Sequence, residues 1–142
     1  MVGAVSPPPP RTLIVVPTYH ERENVEDVAR PFLAPVPQAH ILFVDDNSPD
    51  GTGELLDELA AKDERLHVMH RAGKLGLGTA YLEGFAWGLA RNYDLLFEMD
   101  ADFSHDPKYL PGMIDLATRD ADVVVGSRWV AGGGTRNWGL SR

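Results

Sequence analysis

The sequence contains no cysteine among its 142 residues. This absence excludes disulfide bonds, zinc sites built from thiolates and catalysis by a cysteine nucleophile. The chain therefore gives no sign of an oxidising compartment. With 44% hydrophobic residues, it is long enough to form one domain with a hydrophobic core.

Long apolar runs are also absent. No stretch approaches the roughly 20 apolar residues that a membrane-spanning helix needs. The N-terminus, MVGAVSPPPPR, lacks the basic start and long apolar segment of a signal peptide. We expect a cytoplasmic protein in which residues 1–11 form a disordered proline-rich leader and residues 12–142 form a single domain.

Basic residues are outnumbered, with 13 Lys and Arg against 21 Asp and Glu and a net charge of -8. This balance argues against a nucleic-acid-binding protein, which normally has a basic face. However, residues 65–82 and 127–142 contain basic residues and no acid. These two stretches suit an anionic ligand bridged by a cation, or they are ordinary solvated loops.

Two carboxylates one residue apart, Asp100 and Asp102, follow the apolar run at 95–99. Side chains at i and i+2 of a strand point the same way, so both acids can face one cation. Mg²⁺ and Mn²⁺ are typically held by one or two carboxylates and completed by substrate phosphates. The pattern favours a nucleotide-sugar site, with a solvated acidic turn as the alternative.

Short apolar runs alternate with amphipathic segments along the chain. Strands are predicted at 13–16, 41–44, 66–69, 95–99 and 123–125. The intervening helices are predicted from an Asn24 cap to Pro31 or Pro35, from a Ser48 or Asp50 cap, from 79 to about 91, and from 107 to about 118. The stripe formed by Tyr81, Phe85 and Leu89 is expected to pack in the core.

This alternation predicts an α/β fold, with right-handed crossovers, a mostly parallel sheet and helices on both faces. Ligands bind such sheets at the carboxyl ends of the strands. Each predicted strand is followed by a chemically rich segment, at 17–21, 45–50, 71–78, 100–106 and 126–128. We therefore expect five loops to converge on a single polar site.

Five segments in order carry a family resemblance: VPTYHERENV (16–25), ILFVDDNSPDGT (41–52), GKLGLGTAY (73–81), MDADFSHDP (99–107) and VVVGSRWVAGGGTRNWGLSR (123–142). Together they resemble the catalytic half of the polyprenyl-phosphate (dolichyl-phosphate) mannosyltransferases, GT-A fold enzymes of glycosyltransferase family 2. The first and fourth segments are shared widely in that family and imply nucleotide-sugar transfer. The second and fifth segments are shared by a narrower group of family members and point to the branch that makes mannosyl-phosphate lipids.

The resemblance implies a donor site for GDP-mannose. A carboxylate at the end of the second strand suits guanine, because it can accept hydrogen bonds from the ring N–H and the amino group together. For Asp45 and Asp46 the alternative is a turn and helix cap. The implied nucleotide-sugar-binding residues are Pro17, Tyr19, Glu21, Val44, one or both of Asp45 and Asp46, Asp100, Ala101, Asp102, Ser104 and Arg128.

The resemblance also implies a cofactor, Mg²⁺ or Mn²⁺, bound by Asp100, Asp102 and Ser104. Arg128 and Arg142 match basic residues near the donor phosphates and the acceptor phosphate, and Asp102 and Arg128 are the implied catalytic residues. The acceptor, a polyprenyl phosphate, has a second pKa of about 6 and is anionic near neutral pH, so its attack needs no protein base. A single displacement would invert the anomeric centre and give a β-mannosyl phosphate.

The chain departs from the family pattern in three places. His20 replaces the usual asparagine, and Ser104 replaces a glutamine found in some relatives. Family members continue beyond the position of Arg142 with helices that complete the acceptor side and often contact the membrane. We therefore expect a fragment that meets the cytoplasmic face of the membrane through its missing part or a membrane partner protein.

Other interpretations remain open from the sequence. ILFVDDNSPDG resembles the acidic pocket of a receiver domain, although there the paired acids end the first strand. Gly76 and Gly78 suggest an enzyme that binds a dinucleotide, but the third glycine of the G-x-G-x-x-G motif is missing. Transferases of glucose or modified arabinose to polyprenyl phosphate share much of the pattern, and a half-domain that binds nucleotide without turnover is a further alternative.

Overall fold

The computed structural model describes residue 3 and residues 8–134. The elements in chain order are β1 (Thr12–Thr18), α1 (Arg22–Leu33), β2 (His40–Asp45), α2 (Thr52–Lys62), β3 (Leu66–His70), α3 (Leu77–Ala90), β4 (Leu95–Glu98), a 3₁₀ turn (Pro107–Tyr109) and α4 (Leu110–Arg119). Of the predicted leader, only Gly3 and residues 8–11 are described.

The four strands form one parallel sheet in the order β3-β2-β1-β4. β1 and β2 lie in the centre and are buried on both faces, which is why both read as near-continuous runs of Val, Ile, Leu and Phe. Since side chains alternate along each strand, Ile14 and Val16 face one layer of helices while Leu13 and Val15 face the other. The predicted α/β architecture with helices on both faces is confirmed.

One face of the sheet carries α1, α2 and α4, and the opposite face carries α3. The first core contains Val25, Val28 and Phe32 of α1 together with Leu56 of α2. The second core is smaller and is closed by α3. Both cores lie below the carboxyl ends of the strands, so the loops that leave those ends are free to form a site.

The predicted fifth strand is wrong for the described chain. Residues 123–125 are irregular, and the side chains of Val123 and Val125 are 78% and 79% exposed. Within residues 8–134 no strand pairs with this segment, and an apolar run without a partner strand has no ladder to join.

Several predicted helix and strand ends also differ. β1 passes through Pro17, because the pairing with β4 ends at Val15 and no β4 group needs the missing N–H of Pro17. Glu21, not Asn24, is the N-cap of α1, and Pro31 lies inside that helix. The N-cap of α2 is Gly51, with a positive φ of 87°.

The predicted core stripe of α3 is wrong in part. Tyr81 is buried and Phe85 is partly buried, but Leu89 is 65% exposed. The residues of α3 that approach the sheet most closely are two glycines, Gly84 and Gly88. The spacing of large side chains did not predict this contact, because glycine has no side chain and the helix backbone itself packs on the sheet.

A cleft at the carboxyl ends of the strands

A cleft of about 280 Å³ opens at the carboxyl end of the sheet, between β1, β2, β4 and the start of α3. The residues lining it come from the end of β1, the start of α3 and the loops that follow the four strands, as expected for a ligand site in a parallel α/β sheet. The lining is Pro17, Thr18, Tyr19, Glu21, Asp46, Lys74, Leu77, Ala80, Asp100, Ala101 and Asp102. The loops after β1, β2, β3 and β4 thus converge as predicted, whereas the fifth segment follows no described strand.

Asp100 and Asp102 both line this cleft, although β4 ends at Glu98 and the two acids lie in the turn beyond it. Turn geometry, not strand alternation, brings them together. The amide of Ser104 donates to Asp102 Oδ1 at 3.0 Å. Partial burial alone would raise the pKa of Asp102, but the hydrogen bonds from Ser104 and the nearby charge of His105 outweigh it and lower that pKa.

Asp100 is oriented by a residue that the sequence assigned to the core. The hydroxyl of Tyr81 donates to Asp100 Oδ1 at 2.7 Å. Burial raises the pKa of Tyr81 well above its usual value, and the carboxylate of Asp100 raises it further, so the phenol stays protonated and acts as a donor. A tyrosine at a buried helical position was the available signal, because a buried hydroxyl usually has a partner.

The two acids at the end of β2 have different surroundings. Asp45 faces away from the cleft and is held by Thr18 and Ser48, whose hydroxyls donate to its Oδ1 at 2.9 and 2.6 Å. Asp46 lines the cleft and is bound by the fork of Arg71, with Nε 2.7 Å from Oδ1 and Nη2 3.0 Å from Oδ2. Asp45 therefore has the turn role that the sequence left open, and Asp46 is the one of the two acids that lines the cleft.

Lys74 is a cleft residue whose role sequence reasoning did not specify. Its Nζ lies 4.8 Å from the ring centroid of Tyr19, so a cation and an aromatic ring form one wall of the cleft. The acid-free stretch at 65–82 was the sequence signal for it. The glycine-bearing loop that carries Lys74 follows β3 and leads into α3.

Four predicted site residues lie elsewhere. Val44 is fully buried in the core beside α3, and the exposed Ser104 and partly buried Arg128 are outside the cleft lining, as is Asp45. Arg142 lies outside the described residues, so its predicted role is not addressed. Of the predicted site residues, the cleft brings together Pro17, Tyr19, Glu21, Asp46, Asp100, Ala101 and Asp102.

The sequence model of the family described as "Glycosyl transferase family 2" matches residues 13–142, which is nearly the whole chain. The chain belongs to glycosyl transferase family 2. In this family member, the matched region includes β2, β3, β4, all of β1 except Thr12, and every residue that lines the cleft. The sequence resemblance to that family is thereby confirmed.

Two curated relatives have names that refer to mannose and a polyprenyl lipid. The polyprenol monophosphomannose synthase of Mycolicibacterium smegmatis is 55% identical over 132 residues, covering 92% of this chain and 50% of the relative. The undecaprenyl-phosphate mannosyltransferase of Micrococcus luteus is 51% identical over 132 residues, covering 93% of this chain and 54% of the relative. The chain thus spans about half the length of these relatives.

Solved structures share the fold. The mannosyltransferase PcManGT from Pyrobaculum calidifontis, solved in complex with GDP-Man and Mn²⁺, superposes with a TM-score of 0.65 at 21% identity, covering 82% of this chain and 35% of its own. The glucosyl-3-phosphoglycerate synthase of Mycobacterium tuberculosis gives a TM-score of 0.57. These likenesses confirm the GT-A fold.

Proposed function

We propose that this domain binds GDP-mannose in the cleft and belongs to a protein that transfers mannose to a polyprenyl phosphate, with inversion, giving a polyprenyl β-mannosyl phosphate and GDP. The observation that carries the proposal is that Asp100 and Asp102 share one cleft with Asp46, Tyr19 and Lys74. Relatives named polyprenol monophosphomannose synthase and undecaprenyl-phosphate mannosyltransferase, at 55% and 51% identity, support the choice of sugar and acceptor.

Asp100 and Asp102 would hold a divalent cation, Mg²⁺ or Mn²⁺. Their hard carboxylate oxygens fit such an ion, and the lowered pKa of Asp102 keeps that group ionised well below neutral pH. The described residues contain no cluster of three or more His, Asp or Glu side chains that could hold a metal. The remaining ligands would therefore come from the donor diphosphate and water, as is usual for these ions.

When bound, the cation would neutralise charge that develops on the leaving nucleoside diphosphate. The chain's own residues perform the other tasks. Ser104 orients Asp102, Tyr81 orients Asp100, and Lys74 supplies a positive charge in the same cleft. We assign no catalytic base, because the acceptor phosphate is already anionic at neutral pH.

A competition experiment tests the donor. GDP should displace GDP-mannose from the domain much better than UDP does, since a carboxylate at Asp46 complements the two N–H donors of guanine. Asp46→Asn should reduce the preference for GDP by about 1.5–3 kcal/mol, the range for a hydrogen bond to a charged group. Equal displacement by UDP would contradict the guanosine assignment and favour the glucose-type donor.

A transfer assay tests the acceptor. The protein incubated with GDP-mannose, Mn²⁺ and a polyprenyl phosphate should form a lipid-linked mannose with a β-anomeric proton signal by NMR. Donor binding without any lipid product would indicate a nucleotide-binding domain that does not catalyse transfer.

The lipid acceptor implies contact with a membrane. We propose that the domain meets this lipid at the cytoplasmic face of the membrane. Among the described residues no helix is long and apolar enough to cross a bilayer.

A further inference from the structure

Arg71 is a buried arginine at the end of β3. Its residue is 6% exposed, and its guanidinium lies beside the cleft without lining it. A charge with so little solvent is stable only when its N–H groups are paired. Arg71 is therefore held in place by a specific set of partners, and those partners indicate its task.

The partners of Arg71 belong to three parts of the cleft wall. Two N–H groups bind the two oxygens of Asp46 as a fork. Nη1 donates to Thr79 Oγ1 at 2.9 Å, and Nη2 also approaches the carbonyl of Gly76 at 3.3 Å. One buried side chain thus ties the end of β2 to the glycine-bearing loop at 73–78 and to α3.

Glu83 is a second negative partner of Arg71, with its Oε1 3.6 Å from Arg71 Nη1, and its interaction is the weaker one. The side chain of Glu83 is 50% exposed, whereas that of Asp46 is 9% exposed. Since solvent screens the exposed partner, Asp46 is the main counter-ion of Arg71. Its hydrogen bonds raise the pKa of Arg71 above the ordinary value.

Asp46 retains acceptor capacity although Arg71 binds both of its oxygens. An ionised carboxylate has about four lone-pair positions, and the fork uses two of them. One position on each oxygen is thus left over, no other hydrogen bond to the Asp46 side chain is formed among the described residues, and Asp46 lines the cleft. The fork therefore fixes the plane of the carboxylate while leaving it able to accept hydrogen bonds from a ligand.

We infer that Arg71 is a positioning residue of the donor site, which orients Asp46 toward the nucleoside base. The inference rests on the proposed nucleoside-diphosphate donor. Arg71 acts through Asp46 and does not touch the ligand. Lysine cannot replace it fully, because an ammonium group supplies charge without the planar fork.

The test compares GDP with inorganic pyrophosphate, each titrated calorimetrically with Mn²⁺ present. Pyrophosphate reports the diphosphate part of the site, and GDP adds the base and ribose. We expect Arg71→Lys to weaken GDP binding about tenfold, the loss of one charge-assisted hydrogen bond, and to change pyrophosphate binding less than about twofold. Far-UV circular dichroism and the melting temperature verify that the variant is folded.

A double-mutant cycle shows whether the effect passes through Asp46. In an Asp46→Asn background, adding Arg71→Lys should weaken GDP binding by less than about twofold more. Arg119→Lys is the matched control, because Arg119 also forms a forked pair, with Asp115, but on exposed α4. That control should bind both ligands as the parent does.

Two results would overturn the inference. Unchanged GDP affinity in Arg71→Lys would show that the fork is not needed, and an equal loss of GDP and pyrophosphate affinity would show a general structural role. Failure of the proposed function is distinct from both, because the parent protein itself would then bind pyrophosphate no less tightly than GDP.

Discussion

Tyr81 connects α3 to the acidic turn after β4 through one hydrogen bond. Its ring is buried against the sheet, while its hydroxyl reaches Asp100 in the cleft. The residue thus combines core packing with orientation of one acid of the proposed metal site. Its two roles can be separated, because phenylalanine keeps the ring and removes the donor.

Tyr81→Phe should lower the Mn²⁺-dependent affinity for GDP-mannose by about threefold to tenfold, since Asp100 loses a charge-assisted hydrogen bond. Tyr93→Phe is the matched control, because the Tyr93 hydroxyl contacts His40 Nδ1 at 2.9 Å, near the amino ends of the strands. Isothermal titration of both variants decides the matter. Equal affinity of the two variants would show that Tyr81 has a packing role alone.

His40 and His67 form a pair in which Nδ1 of His40 lies 2.9 Å from Nε2 of His67. Burial lowers the pKa of both imidazoles, and Arg11 lowers that of His40 further while the His40 ring lowers that of His67. The folded protein therefore favours two neutral rings. The unfolded chain has ordinary histidines with a pKa of 6.5.

This difference gives stability a defined pH dependence. As pH falls below about 6.5, the unfolded chain binds protons that the folded protein resists, so the free energy of unfolding should decrease. Replacing both histidines by glutamine should flatten the dependence of the melting temperature between about pH 7.5 and pH 5.5. An unaltered slope in the double variant would refute this account.

At the scale of elements, α3 approaches the sheet through glycine. A Cβ on Gly84 would collide with Val15, and one on Gly88 would lie 2.8 Å from side-chain carbons of Leu13 and Leu96. Their absence of a side chain lets the helix backbone pack directly on β1. This close contact places the start of α3 against the cleft.

The effect of a glycine-to-alanine substitution on stability should therefore depend on its position in α3. Gly84→Ala and Gly88→Ala should destabilise the domain by about 1–3 kcal/mol through overpacking. Gly78→Ala, where nothing lies within 4 Å, should be neutral or stabilise it by up to about 1 kcal/mol through helix propensity. Urea denaturation measures all three. Similar changes in the free energy of unfolding for Gly78→Ala and Gly84→Ala would contradict the close packing of α3 on the sheet.

The elements were largely predictable from the sequence because β1, β2 and β3 are apolar runs bounded by polar residues. Their ends were less predictable. Pro17 continues β1 because its neighbour β4 has already ended, which is a tertiary fact. The segment at 123–125 has the composition of a strand but no described partner, and composition cannot reveal the presence of a partner.

At the scale of the whole molecule, the carboxyl ends of four parallel strands deliver the cleft residues to one place. Parallel topology made this convergence predictable, and the spacing of Asp100 and Asp102 indicated the chemistry. The partners Arg71 and Tyr81 were not predictable, because each bonds across 19 or more residues of sequence. Such pairs are visible only once the chain is folded.

In the proposed function, the cleft binds a nucleotide-sugar donor through a divalent cation on Asp100 and Asp102. The most direct measurement is a calorimetric titration of GDP-mannose with and without Mn²⁺, in the parent protein, in Asp102→Ala, and in Asp106→Ala as a control outside the cleft lining. We predict that Mn²⁺ tightens binding in the parent and in Asp106→Ala, and that Asp102→Ala loses this enhancement while keeping its fold. An unchanged Mn²⁺ enhancement in Asp102→Ala would contradict the account.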